Sequence, residues 1–141
     1  MFDVVLVPTD GSEPAETAAE TGFDLARHHD ADVHVLCVAD IGPLSDLRLP
    51  GDAASAEEAI RGRADEFVER LTTRAAEYDL EATGVVRTGS AKTAIVTYAN
   101  EIEADVVVMG PHGSGAVERL TLGSVTDHVI RASDADVLVA R

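Results

Sequence analysis

The chain has 141 residues, with 26 Asp and Glu against 11 Lys and Arg, and a formal net charge of −15. It is long enough for one domain with a real core, and its negative field argues against sequence-independent nucleic-acid binding and docking on anionic membranes. No run of about 18 apolar residues is present, so no membrane span is expected.

The N-terminus lacks a basic region followed by a hydrophobic segment, so secretion is not expected. The single cysteine, Cys37, cannot form an internal disulfide and sits in an apolar run, as a buried thiol in a reducing cytoplasm would. Lys92 is the only lysine. An acidic, lysine-poor, alanine-rich composition suits a halophilic protein, in a solvent whose cations screen self-repulsion.

Phe2 to Val7 reads as a strand that ends at Pro8. Thr9-Asp10-Gly11-Ser12 follows as a βα loop, with Ser12 as N-cap and Pro14 in the first helical turn. Ala15 to Arg27 reads as a helix with a narrow stripe of Ala18, Ala19, Gly22, Phe23 and Ala26. His28-His29-Asp30 places imidazoles at its C-terminus, where the helix dipole favours them; adjacent histidines make a poor metal-ligand pair. Ala31 to Ala39 is a second strand, with His34 on a partly covered face.

Asp40 to Ser55 is irregular, and a loop of that length suggests a lid, a binding loop or disorder. Ser55 to about Tyr78 reads as a long helix buried through Ala59, Ala64, Phe67, Val68, Leu71 and Ala75. Glu81 to Arg87 is a third strand, and Gly89 to Thr93 caps a helix reaching Asn100. Lys92-Thr93 is not a P-loop, because the glycines are wrongly spaced.

Ala104 to Met109 is apolar and β-branched, as in a strand covered on both faces. Gly110, Pro111, His112 and Gly113 follow, then nine residues, then Gly123-Ser124-Val125-Thr126. Val125 to Arg131 reads as a short helix with Ser124 or Thr126 near its N-cap. Glycines permit close backbone approach and φ > 0, and helix N-terminal N–H groups favour an anion. Hydroxyls of Ser124 and Thr126 add donors for phosphate oxygens. The same pattern also suits an ordinary βα loop with turn-forming glycines. Asp136 to Ala140 is the last strand. The order βαβαβαβαβ, with crossovers long enough for helices, gives one α/β domain over residues 1–141 with a doubly wound parallel sheet.

Gly110-x2-Gly113-x9-Gly123-Ser124, with the opening Val7-Pro8-Thr9-Asp10-Gly11-Ser12, resembles the universal stress protein family over essentially the whole chain. The resemblance implies a Rossmann-like open sheet of five parallel strands in the order 3-2-1-4-5, helices on both faces, and membership of the family's nucleotide-binding branch. It places Pro8, Thr9 and Asp10 at the base and ribose, and the backbone of Val38 at the adenine. Met109, Gly110, His112, Gly113, Gly123, Ser124, Val125 and Thr126 are the further nucleotide-binding residues it implies, with His112 either near phosphate or an exposed loop histidine. It further implies a homodimer through the edge strand Val137, Leu138, Val139 and Ala140. Pro111 departs from the small residue usual there and removes one N–H from the loop.

The function so implied is an ATP-binding stress-response switch, with Mg²⁺ or Mn²⁺ held mainly by the phosphates and at most slow hydrolysis. No nucleophile–base pair is visible, so no catalytic residue is named. The alternatives are a dimeric interaction module of the same fold that holds no nucleotide and, more weakly, a nucleotide-dependent transferase.

Overall fold

The structure, a computed structural model, describes residues 2–40, 50–113 and 122–141. Its elements are β1 (Val4–Thr9), α1 (Glu13–His29), β2 (Asp32–Ala39), α2 (Pro50–Ala76), β3 (Ala82–Thr88), α3 (Ala91–Glu101), β4 (Val106–Met109), α4 (Ser124–Ala132) and β5 (Asp136–Val139). All five strands are parallel and stand in the order β3-β2-β1-β4-β5. The expected order is therefore found.

Strand alternation divides the core in two. Val5, Val7, Val33, Val35, Val106 and Val108 meet α1 and α2, whereas Leu6, Leu36, Val107 and Met109 meet α3 and α4. Because helices cover both faces, β4 is buried along its whole length, which is why its sequence is a continuous apolar run. Small residues bring α1 close to the sheet. A Cβ added at Gly22 would lie 2.8 Å from Val7 Cγ2 and 3.4 Å from Val108 Cβ.

At the amino edge, the Asp105 carboxylate accepts the N–H groups of Asp3 at 2.7 Å and Val4 at 2.9 Å. These two bonds hold its pKa below the usual carboxylate value, and they tie the start of β1 to β4.

Several boundaries differ from the sequence reading. β1 does not stop at Pro8 but continues to Thr9, with Pro8 beside Leu36 and Thr9 beside Cys37. The β1–β4 register ends at Leu6 and Val107, so a residue without an N–H is tolerated two positions later. α1 begins at Glu13, capped by Ser12, whose Oγ accepts Ala15 N–H at 3.3 Å. α2 begins at Pro50 rather than Ser55, with proline at a position where the missing N–H costs nothing. The remainder of the expected irregular loop, 41–49, lies outside the described residues.

His28 donates from Nδ1 to Asp24 O at 2.8 Å, and the His29 ring packs on Phe2 at 5.2 Å. No described helix is long and apolar enough to cross a membrane.

Gly22→Val should cost about 1–3 kcal/mol by overpacking α1 against β1 and β4. Urea unfolding with an unchanged m-value checks it.

Candidate functional site

The carboxyl ends of β1, β2 and β4 open into a cavity of about 370 Å³. This is the crevice that strand order creates where connections diverge to opposite faces of a parallel sheet. Every site residue named from the sequence lines it: Pro8, Thr9 and Asp10 from β1 and its loop, Val38 from β2, and Met109, Gly110, His112 and Gly113 from β4 and its loop. Gly123, Ser124, Val125 and Thr126 enter from the start of α4. The spacer residues 114–121 lie outside the described residues.

Two buried hydroxyls brace the loops. Thr9 Oγ1 accepts Gly11 N–H at 3.1 Å, and Thr126 Oγ1 donates to Gly110 O at 2.9 Å. The Thr126 hydroxyl expected for a ligand is thus committed to the protein, and what Thr126 presents at the helix start is its backbone. Asp10 Oδ1 accepts Ser12 N–H at 3.0 Å and closes an Asx turn. His112 Nδ1 donates to Gly113 O at 3.3 Å.

The cap of α4 is Gly123, not Ser124 or Thr126. Gly123 O accepts the first intrahelical bond, from Asp127 N–H at 3.0 Å. The N–H groups of Ser124, Val125 and Thr126 have no intrahelical acceptor, and a glycine cap has no side chain to offer them. Opposite, Leu36, Val38, Ala91 and Ile95 give the cavity an apolar wall. One end suits an anion and the other a flat apolar group.

The motif glycines serve a purpose that spacing did not disclose. Positive φ among the described glycines occurs at Gly11 and Gly89, not in the motif. Gly110, Gly113 and Gly123 are instead pressed against the protein's own parts. An added Cβ would lie 3.0 Å from Pro14 O at Gly110 and 3.0 Å from His112 Cα at Gly123, and would overlap the Asp10 carboxylate at Gly113. The first and fourth βα loops therefore interlock through glycine. Pro111 is turned out of this arrangement. It borders a separate depression with Glu13, Thr17 and Arg141, while its carbonyl accepts Gly123 N–H at 2.7 Å.

A profile of the universal stress protein family matches residues 1–141. The chain belongs to that family. It is 29% identical over 141 residues to a universal stress protein of Methanocaldococcus jannaschii, a match spanning 100% of this chain and 83% of its relative. The universal stress protein UspA from Lactobacillus plantarum superposes with a TM-score of 0.88 at 25% identity, over 99% of this chain and 98% of that one. A universal stress protein solved in complex with cAMP superposes with a TM-score of 0.77 at 25% identity, over 99% and 97% of the two chains.

In this universal stress protein the sequence reading missed Ala15, Leu36, Ala91 and Ile95 as cavity residues. Each is an ordinary apolar core residue in sequence; only the docking of α1 and α3 at the strand ends turns it toward the crevice. A further hidden support is Phe67 of α2, whose ring lies where a Cβ at Gly11 would be. The guanidinium groups of Arg63 and Arg70 lie 5.6 and 5.7 Å from that ring. Cys37 lies in the same layer, its thiol pushed up to about 11 by burial, with Asp10 and Asp65 adding to the shift. It stays protonated at neutral pH.

Gly11→Ala should destabilise the protein by about 1–2 kcal/mol, because φ is +80° there and Phe67 fills the space. Phe67→Leu should recover part of that loss, and a double-mutant cycle by thermal unfolding reads the coupling.

Proposed function

We propose that the cavity binds an adenine nucleotide, with ATP as the working ligand, and that occupancy switches what the protein contacts. The observation that carries this reading is the pairing of an apolar wall with the glycine-capped start of α4 across one crevice. Aligned N–H groups at a helix start suit phosphate oxygens, and the helix dipole adds to the attraction. A cavity near 370 Å³ is of the size that small-ligand pockets occupy. The cAMP complex of a structurally similar universal stress protein supports the same ligand class.

The donor set also suits a divalent cation carried by the ligand. Among the described residues no group of three or more His, Cys, Asp or Glu could hold a metal ion, and Asp10 is the one carboxylate among the described residues that line the cavity. A Mg²⁺ or Mn²⁺ would take most of its oxygen ligands from phosphates, with Asp10 contributing one. In the field of a chain with net charge −15, that cation and the surrounding salt would offset repulsion of the triphosphate. The reading is of a switch with at most slow hydrolysis, acting in the cytoplasm.

The second part of the proposal is a homodimer through β5 and the following residue, Val137 to Ala140. β5 pairs only with β4 among the described strands, and Leu138 is 38% exposed on it. An apolar edge is a liability unless paired.

Calorimetry of nucleotide-stripped protein with Mg²⁺ and ATP, at high and low salt, tests the first part. Saturable binding is expected, with at least about tenfold weaker affinity in Gly113→Val and Gly123→Val at retained circular dichroism. No binding by the folded wild type at either salt would favour the nucleotide-free interaction module. For the second part, sedimentation in high salt should give a dimeric mass, and Leu138→Glu should shift it toward the monomer.

A further inference from the structure

The apolar wall of the cavity continues downward as a seam between β2 and α3. His34, Leu36 and Val38 alternate onto the α3 face of β2, and Ala91, Ile95 and Tyr98 form the facing stripe of α3. The upper residues of this seam, Val38, Leu36, Ala91 and Ile95, line the cavity. Its lowest rung is polar. His34 Nδ1 and Tyr98 OH are 2.8 Å apart, with the two rings edge to face at 5.7 Å. The Tyr98 ring also carries the Arg87 guanidinium 4.9 Å from its centroid, and Arg87 donates to both Glu101 oxygens at 2.7 and 3.2 Å. One tyrosine therefore ties α3 to β2 and β3 together.

We propose that the His34–Tyr98 hydrogen bond is a positioning latch that fixes α3 against β2, holds the apolar wall at its working width and makes nucleotide affinity pH-dependent. The proposal rests on the nucleotide reading of the cavity above. In the neutral tautomer with its proton on Nε2, His34 Nδ1 accepts the phenolic proton. Protonation removes that acceptor, so the pair must reverse and the tyrosine hydrogen must turn elsewhere. The charged groups facing this rung are Asp32 on β2, Arg87 on β3 and Glu101 on α3, with the Tyr98 phenol beside them. The neighbouring residue on β1 is the apolar Leu6. Burial lowers the His34 pKa below 6.5, against the raising effect of Asp32.

The direction follows from linkage. A histidine with a lowered folded pKa leaves the fold intact above 6.5 and weakens it as pH falls toward the folded value. Nucleotide that selects the latched form is bound more weakly as pH falls through the folded His34 pKa, which lies below 6.5.

Titration of Mg²⁺ and ATP into the full chain between about pH 8 and 5.5 tests this, with His34→Gln removing the contribution of ATP's own protonation. His34→Gln should bind as the wild type does at the upper pH and lose affinity several-fold less at the lower. Tyr98→Phe, which lacks the hydroxyl, should bind several-fold more weakly than the wild type at the upper pH and converge with it at the lower, while keeping its circular dichroism. Amide exchange should show α3 losing protection at low pH in the wild type but not in His34→Gln. Identical pH profiles and identical α3 exchange in wild type and His34→Gln would overturn the latch while leaving the nucleotide reading in place. Absence of ATP binding by the wild type at the upper pH would overturn the nucleotide reading, and with it the latch as a regulator of affinity.

Discussion

The site depends on the parallel pairing of β1 with β4. The Val5–Val106 and Leu6–Val107 register sets two strands side by side that are about a hundred residues apart in sequence, and so sets their carboxyl-end loops facing each other. One loop carries Thr9 and Asp10 and the other the glycine motif. Everything else in the crevice is placed relative to that seam: α1 and α2 brace one loop from behind, and α3 and α4 supply the wall and the anion end. Asp105 secures the opposite end of the same seam by accepting two N–H groups of the incoming chain. A change that slid β1 along β4 by a residue would turn every side chain of β1 to the wrong face and disrupt the crevice together with the core around it.

The second constraint is closeness. Gly113 admits the Asp10 carboxylate, Gly110 admits the first turn of α1, and Gly123 admits the backbone of His112. Loops packed this tightly have few alternative arrangements, so the N–H groups at the start of α4 are held in place before a ligand arrives. Preorganisation of that kind reduces the ordering cost of binding. It also sharpens the electrostatic problem, because the Asp10 carboxylate lies near the place where an anion would sit. In the proposed reading, a cation shared between carboxylate and phosphate would resolve the conflict without moving either loop.

The sequence was most legible where one physical requirement governed a whole segment. A continuous apolar and β-branched run such as Val106–Met109 reads as a strand covered on both sides, and the alternation of helix and strand left a parallel sheet as the economical arrangement. The strand order and the union of the two loops came from family resemblance carried by the glycine motif, since periodicity says nothing about which parallel strands are neighbours. Local chemistry was harder. Pro8 reads as a terminator, yet it sits inside β1 because the β4 ladder has ended there. Thr126 reads as a phosphate donor, yet its hydroxyl bonds Gly110 O. Phe67 reads as part of a buried helix stripe and His34 as a strand residue on a partly covered face, and nothing in the sequence singles out Tyr98; their roles beside Gly11 and at the foot of the α3 seam exist only once distant elements are packed.

In the proposed complex, phosphate meets the start of α4 while the base lies on the β2–α3 wall. Amide spectra of isotope-labelled protein titrated with Mg²⁺ and ATP test it most directly, because they report on individual N–H groups. Saturable shifts are expected, concentrated at Asp10, Gly113 and Ser124 to Thr126, with smaller changes at Val38 and Ala91. Saturable shifts that spare Ser124 to Thr126 and gather elsewhere on the fold would contradict it.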